Sequence, residues 1–159
     1  MKLRQAGFTL IELIIVITIL GFLAAAALPK FAALQADARL AKMNAAMGAV
    51  KSAAAMAHAT LITRGFDTNF TGTPSPAIVI EGTTVTFVNG YPDAASIVAL
   101  ASLNSDYITT GLTAPRIAAP SSGHTGSSAA NDCTIGYAPP AALNTQPTYT
   151  VFATVANCS

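Results

Sequence analysis

The chain opens with an almost uniformly apolar block and continues with shorter apolar runs separated by polar turns. Residues 8–28 (FTLIELIIVITILGFLAAAAL) contain one charged side chain, Glu12. A helix needs about 20 consecutive apolar residues to cross a bilayer, so this block predicts a membrane-spanning helix. Lys2 and Arg4 precede the block and Lys30 follows it. The positive-inside bias therefore favours a cytoplasmic N-terminus.

Beyond Pro29 the apolar positions become one-sided. They step by three and four residues, which is typical of one face of a helix. These positions are Leu40, Met43, Met47, Val50, Ala54, Ala57 and Leu61. One helix from residue 8 to about residue 62 accounts for both patterns, and its second half should pack on a globular head. Gly21 and Pro29 are the expected kink positions, because proline lacks a backbone donor and clashes with the preceding turn.

The following segment predicts short strands and turns. The run AIVIEGTTVTFV at 77–88 predicts a β-hairpin that turns at Glu81-Gly82, and Asn89-Gly90 predicts a second turn. Pro92 suits the first turn of a short helix. Ile97, Leu100 and Leu103 follow at spacings that could face a core.

The C-terminal part contains the chain's two cysteines. Residues 104–131 are polar and are expected to form a loop, and CTIGYAPPA and PTYTVFATVANC are expected to form strands. Cys133 and Cys158 allow one disulfide if the domain lies outside the cytoplasm. The resulting loop of about 25 residues would stabilise the fold by roughly 3 kcal/mol.

Composition and charge narrow the function classes. The net charge is +1, and removal of Lys2 and Arg4 with residues 1–7 would leave six basic and seven acidic residues, or −1. No nucleic-acid partner is predicted, because such proteins usually carry a clear basic excess. His58 lies in the helical pattern and His124 in a Ser/Gly-rich loop. We find no catalytic constellation, metal-ligand spacing or phosphate-binding glycine loop, so no enzyme activity, cofactor or metal is expected.

Glu12 is the residue that the simpler interpretations leave unexplained. A cleaved signal peptide would use AAAA at 24–27, and a signal anchor would account for the length of the apolar run. Neither needs a carboxylate, which costs about 2.5–3.5 kcal/mol at the centre of a spanning helix. No Lys or Arg lies one helical turn away. A neighbouring chain or a new N-terminus would have to supply the cation.

The stretch KLRQAGFTLIELIIVITILGFLAAAALPKF resembles the N-terminal segment of type IV pilins and type II secretion pseudopilins. A basic leader, Gly7, Phe8, Glu12, the apolar run and Pro29 stand at that family's spacing. The resemblance implies cleavage between Gly7 and Phe8 by a prepilin peptidase, followed by N-methylation of Phe8. It also implies that Glu12 pairs with the Phe8 amine of a neighbouring subunit in a helical homopolymer. The expected fold is the α+β pilin fold, a long helix packed on a small antiparallel head.

The same resemblance predicts the organisation and location of the chain. Residues 1–7 would be the leader, 8–29 the membrane and filament-core helix, 30–62 its amphipathic half and 63–159 the head with its disulfide region 133–158. Subunits would wait in the lipid of the inner membrane, with the N-terminus cytoplasmic. An inner-membrane assembly platform would then extract them into a surface pilus used for adhesion or motility.

The C-terminal part resembles the mannose-sensitive haemagglutinin (MSHA) group of pilins, through NGYPDA and the arrangement CTIGY…PTYTV…C. Many type IV pilins end in a region bounded by a disulfide, whereas major pseudopilins usually lack the bridge and carry a calcium site. A secretion pseudopilin is the alternative within the family. A signal-anchored periplasmic enzyme or binding module is the alternative from another class.

Overall fold

The structure is a computed structural model that describes residues 8–110, 114, 116–120 and 133–158. The chain divides into two compact units, one that ends at Gln35 and one that begins at Ala36. It is an α+β protein with a long N-terminal helix and small antiparallel sheets. Its elements are α1 (Leu10–Thr63), β1 (Val79–Ile80), β2 (Thr83–Thr84), β3 (Phe87–Val88), β4 (Tyr91–Pro92), α2 (Ala94–Leu100), β5 (Tyr107–Ile108), β6 (Arg116–Pro120), β7 (Ile135–Ala138) and β8 (Thr148–Val151).

The first unit contains the beginning of α1, and its apolar side chains are exposed. Pro29 lies inside the helix, whose first turn carries Glu12 as its acidic residue. In the described part of the chain, α1 is the one helix long and apolar enough to cross a membrane by length and composition, and the apolar window is not buried. The long helix predicted from the sequence is therefore confirmed, while kinks at Gly21 and Pro29 stay a prediction.

The second unit buries one face of the remaining part of α1. The predicted stripe from Met43 to Leu61 lies in the core, and Leu40 is partly buried at its edge. In this core the stripe packs against side chains of the sheets and of α2, including Phe87, Ile97 and Tyr137. The one-sided pattern of the sequence thus identifies the face that packs on the sheets.

The sheets are small and antiparallel. β1 pairs with β2, β3 pairs with β4, and the largest sheet has the order β5-β6-β7-β8. The register of β7 and β8 places Tyr137 opposite Tyr149. Both predicted two-residue turns are present, and all four turn residues have positive φ: Glu81 (47°), Gly82 (80°), Asn89 (48°) and Gly90 (85°). Such φ values match the right-handed twist of paired strands, which is why Asn-Gly pairs favour hairpins.

The prediction that Pro92 lies in the first turn of a helix is wrong, because the helix begins two residues later. Pro92 ends β4, and Asp93 is the N-cap of α2, which begins at Ala94. The Asp93 carboxylate accepts a hydrogen bond of 2.7 Å from Ser96 N and satisfies one of the free donors of the first turn. Asp93 therefore caps the helix, and Ile97 and Leu100 are buried as predicted.

Two further predictions on strands need correction. The segment 104–131 is not a loop throughout, since it contains β5 and β6. The sequence RIAAP of β6 has few strand-forming residues, and the segment becomes a strand because β5 and β7 pair with it on both sides. At the C-terminus, β8 stops at Val151, and a turn follows in which Asn157 Oδ1 accepts a hydrogen bond from Thr154 N. The strand predicted up to Cys158 is therefore too long.

Several predicted features lie outside the described residues. These are the leader with Gly7, and the Ser/Gly-rich stretch that contains His124.

Candidate functional site

The first turn of α1 holds the carboxylate that the sequence singled out. Thr9 N donates to Glu12 Oε2 at 2.9 Å, and Thr9 Oγ1 donates to the same oxygen at 2.8 Å. Glu12 N donates to Thr9 Oγ1 at 3.3 Å. This reciprocal pattern is a capping box, in which a Thr and a Glu three residues later satisfy each other's backbone donors. Glu12 therefore has a local partner at the start of the helix.

Sequence reasoning missed the role of Thr9. The T-x-x-E spacing of Thr9-Leu10-Ile11-Glu12 is the signal that could have identified it. The capping box matters for the interpretation of Glu12, because it provides a structural reason for the carboxylate that needs no second chain. Any test of an assembly role must therefore separate the charge of Glu12 from its capping hydrogen bonds.

The surface next to this turn is apolar. Phe8 is 89% exposed in the chain, and Leu10, Ile11 and Leu13 follow with more than half of their surfaces accessible. Exposed apolar surface of this extent marks an interaction site with lipid or protein. The first unit therefore presents a hydrophobic helix surface with one carboxylate at its start.

The Cys133–Cys158 disulfide is the second predicted site, and the structure contains it. The two Cα atoms lie 4.9 Å apart, and both residues are buried. Arg39 Nη1 donates to the carbonyl oxygen of Cys158 at 2.9 Å, so the end of the chain is tied to α1. The bridge thus encloses β7 and β8 and fixes the C-terminal segment on the second unit.

Tyr137 is the largest fully buried side chain of the head. Its hydroxyl donates to the carbonyl oxygen of Pro92 at 2.7 Å. Burial raises the pKa of Tyr137, and the neighbouring Tyr149, Asp93 and Tyr91 raise it further. The phenol is therefore held as a neutral hydrogen-bond donor that connects β7 to the β3–β4 hairpin.

His58 packs in the head. Its Nδ1 lies 2.7 Å from the carbonyl oxygen of Gly90, and its ring stacks on Tyr91 at 4.2 Å between centroids. Among the described residues, no group of three or more His, Cys, Asp or Glu side chains could hold a metal ion.

The predicted site residues fall into two groups. Phe8 and Glu12 lie at the start of the first unit, and the cysteines lie in the second. The structure joins the cysteines to each other and Glu12 to Thr9. The pairing of Glu12 with the Phe8 amine of another subunit is a contact between chains and stays a prediction.

Two comparisons relate the chain to known proteins. The fold defines an α+β protein whose N-terminal helix has an exposed apolar surface. Residues 2–28 match the family described as the prokaryotic N-terminal methylation motif. The chain is similar to the type IV narrow pilus major component PilA5 of Thermus thermophilus, with 51% identity over 55 residues. That match covers 35% of this chain and 47% of the relative, so the chain spans about half the length of the curated protein it matches. No solved structure matches.

These findings support a type IV pilin. The long helix on small antiparallel sheets and the C-terminal disulfide are consistent with the pilin fold.

Proposed function

We propose that the chain is a structural subunit of a type IV pilus, polymerised from the inner membrane and used for surface adhesion or motility. The observation that carries the proposal is the exposed apolar first unit with Glu12 in its first turn. In a membrane this surface contacts lipid, and in a filament it contacts the same surface of neighbouring subunits. Because lipid is as apolar as a helix bundle, packing and polar contacts must supply the net driving force for assembly.

Processing would prepare the assembly contact. Prepilin peptidase cuts between Gly7 and Phe8, which removes Lys2 and Arg4 and leaves a cationic, N-methylated amine on Phe8. The motif match at residues 2–28 supports this step. The leader boundary at residue 7, the helix divisions at residues 29 and 62 and the cytoplasmic N-terminus belong to the proposal.

Glu12 would set the register between subunits. Its carboxylate is held by Thr9 in the single chain, and in the filament it meets the Phe8 amine of a neighbour. Loss of one partner of a buried ion pair costs about 3–5 kcal/mol. An incoming subunit therefore gains the contact only at the correct axial offset.

Three variants separate the charge from the cap. Glu12→Gln keeps a capping side chain but removes the charge, because Gln also serves at this position of a capping box. Thr9→Val removes the Thr9 hydroxyl, and with it two of the three capping hydrogen bonds, and keeps the charge. Glu81→Gln neutralises an exposed carboxylate in the β1–β2 turn and is the matched control. Each variant is expressed in the native host. The amount of subunit in pili sheared from the surface is compared with the amount of subunit that remains in the membrane.

We expect Glu12→Gln to lower filament yield by at least about a hundredfold, since 3 kcal/mol corresponds to roughly that factor. Thr9→Val and Glu81→Gln should retain most of the yield. Normal filaments from Glu12→Gln, or equal losses in Thr9→Val, would contradict the ion-pair role and leave capping as the function of Glu12.

The intact mass of the subunit in the sheared fraction tests membership of the filament itself. The expected chain begins at N-methyl-Phe8 and is two mass units light for the Cys133–Cys158 bridge. A chain that begins at Met1 or after Ala26 and is absent from the sheared fraction would support the anchored-module alternative. The disulfide supports a pilin over a pseudopilin.

A further inference from the structure

The turn between β3 and β4 contains a dipeptide that can modify itself. In an Asn-Gly dipeptide the glycine nitrogen attacks the Asn carboxamide carbon, because glycine has no side chain to obstruct the approach. The amide nitrogen leaves as ammonia and a cyclic succinimide forms, which water opens to Asp or to isoaspartate. This reaction, deamidation, needs no enzyme or cofactor. Asn89-Gly90 is the single Asn-Gly dipeptide of the chain, so it is the first place at which to expect deamidation.

The geometry of the turn restricts both positions to these residue types. Asn89 has a φ of 48°, a left-handed conformation that Asn tolerates better than most residues with a side chain. Gly90 has a φ of 85°, and a Cβ there would overlap the backbone carbonyl of Thr68. The turn therefore keeps a chemically labile dipeptide for steric reasons, and its protection depends on the surrounding structure.

The head holds both reacting groups in hydrogen bonds. Gly90 is buried, and its nitrogen, the attacking atom, donates to the Phe70 carbonyl oxygen at 2.8 Å. Asn89 Nδ2, the leaving amide, donates to the carbonyl oxygen of Pro140 at 2.8 Å. Attack requires the Gly90 nitrogen to lose its hydrogen and the carboxamide to turn toward it. Both changes break these hydrogen bonds, so the folded head opposes the reaction at each of its two partners.

The backbone of Asn89 is fixed by a third hydrogen bond. Asn89 N donates to Thr71 Oγ1 at 2.9 Å. Phe70 and Thr71 belong to the loop that follows α1, whereas Pro140 belongs to the disulfide-bounded region. Because these partners come from segments far apart in the chain, they separate from the turn only when this part of the head opens.

We propose that Asn89 is a latent self-modification site, which the folded head keeps unreactive and which deamidates when the β3–β4 hairpin separates from its partners. Neither product fits the turn as Asn does. Isoaspartate adds a methylene to the backbone, and Asp replaces the Nδ2 donor with a carboxylate oxygen that faces the Pro140 carbonyl, so two acceptors oppose each other. Opening of the head is thereby recorded irreversibly in the covalent structure. The inference concerns the second unit and does not depend on polymerisation.

The test compares deamidation of the full chain in the folded and the unfolded state. The protein, purified in detergent with its disulfide intact, is kept in mildly alkaline buffer, either without denaturant or in concentrated guanidinium chloride. Peptide mapping by mass spectrometry measures the gain of one mass unit at Asn89 and separates Asp from isoaspartate. Asn104-Ser105 is the internal control, because both of its residues are exposed in the segment after α2.

Four variants test the protection and its loss. Thr71→Val removes the acceptor of Asn89 N, and Thr73→Val is the matched control. Thr73 is exposed on the same loop, and its hydroxyl forms a hydrogen bond with that of Thr86. Asn89→Asp introduces one product of deamidation directly, and Asn104→Asp adds the same charge at the exposed control position.

We expect Asn89 to deamidate at least about a hundredfold more slowly in the folded than in the unfolded chain, because only the opened population reacts. The two rates at Asn104 should agree within about threefold, since its exposure does not depend on opening. Thr71→Val should raise the folded-state rate at Asn89 about fivefold, the factor expected for one hydrogen bond, and leave the unfolded-state rate unchanged. Asn89→Asp should lower the guanidinium midpoint of unfolding, and Asn104→Asp should not.

The proposal is overturned if Asn89 does not react in the unfolded chain, or if its rate in the folded chain lies within about threefold of the unfolded rate. It is also overturned if Thr71→Val has no effect on the folded-state rate, or if Thr73→Val raises that rate equally. Equal midpoints for Asn89→Asp and Asn104→Asp would show that the product fits the turn, and would overturn its irreversibility.

Discussion

Gly82 and Gly90 occupy the same position in two hairpin turns, which allows backbone strain to be separated from packing. Their φ values are 80° and 85°. A Cβ at Gly82 would meet no atom within 4 Å, whereas a Cβ at Gly90 would overlap the backbone carbonyl of Thr68. Alanine at these two positions should therefore have the same backbone cost and a different packing cost.

The expected loss in the free energy of unfolding is the sum of the backbone cost and the packing cost. The left-handed conformation costs a residue with a Cβ about 1–2 kcal/mol, which is the expected loss for Gly82→Ala. Overpacking adds about 1–3 kcal/mol, so Gly90→Ala should lose about 2–5 kcal/mol. Displacement of Gly90 would also weaken its hydrogen bonds to His58 Nδ1 (2.7 Å) and to the Phe70 carbonyl (2.8 Å), each worth about 1 kcal/mol.

The assay is urea unfolding of the full chain with its disulfide intact, in detergent. Near-UV circular dichroism of the tyrosines follows the head, since the chain has four Tyr and no Trp. The free energies of unfolding are compared at equal m-values, because a change in m indicates a change in the denatured or native state. Equal losses for the two variants would refute the overlap with Thr68. A loss for Gly82→Ala well below about 1 kcal/mol would refute the strain argument.

Three further predictions concern the stability of the head. Replacement of both Cys133 and Cys158 by Ala should cost about 3.5 kcal/mol in urea unfolding, from the chain entropy of a loop with a sequence separation of 25; a loss under about 1 kcal/mol would contradict this. Asp93→Ala should lower the free energy of unfolding by about 0.5–2 kcal/mol, while Asp93→Asn, which keeps a cap, should lose less; equal losses would show that the cap bond to Ser96 is unimportant. The raised pKa of Tyr137 means that the folded state holds the phenolic proton more tightly than the unfolded state. Stability should therefore be complete below the ordinary tyrosine pKa of about 10 and fall as pH rises above it, and Tyr137→Phe should reduce this slope in unfolding measured from about pH 8 to 11.

The long helix and its buried face were predictable because both depend on short-range periodicity. The steps of three and four from Met43 to Leu61 define the core side of α1 without any knowledge of its partners. The turns at Glu81-Gly82 and Asn89-Gly90 were predictable for a similar reason, since two neighbouring residues decide whether positive φ is tolerated. The capping box of Thr9 and Glu12 could be predicted for the same reason, because it depends on four consecutive residues.

Other features depended on contacts between distant residues. β6 has the sequence RIAAP, whose local preference for a strand is weak, and it is paired because β5 and β7 offer hydrogen bonds on both sides. The hydrogen bond from the Tyr137 hydroxyl to the carbonyl oxygen of Pro92 joins β7 to β4, and only folding brings these two residues together. The sequence by itself therefore determined the helix, the turns and the exposed apolar N-terminal segment, since their causes act within a few residues. Only the tertiary structure decided the strand pairing and the hydrogen bond from Tyr137 to Pro92, because both require partners that the chain brings together by folding.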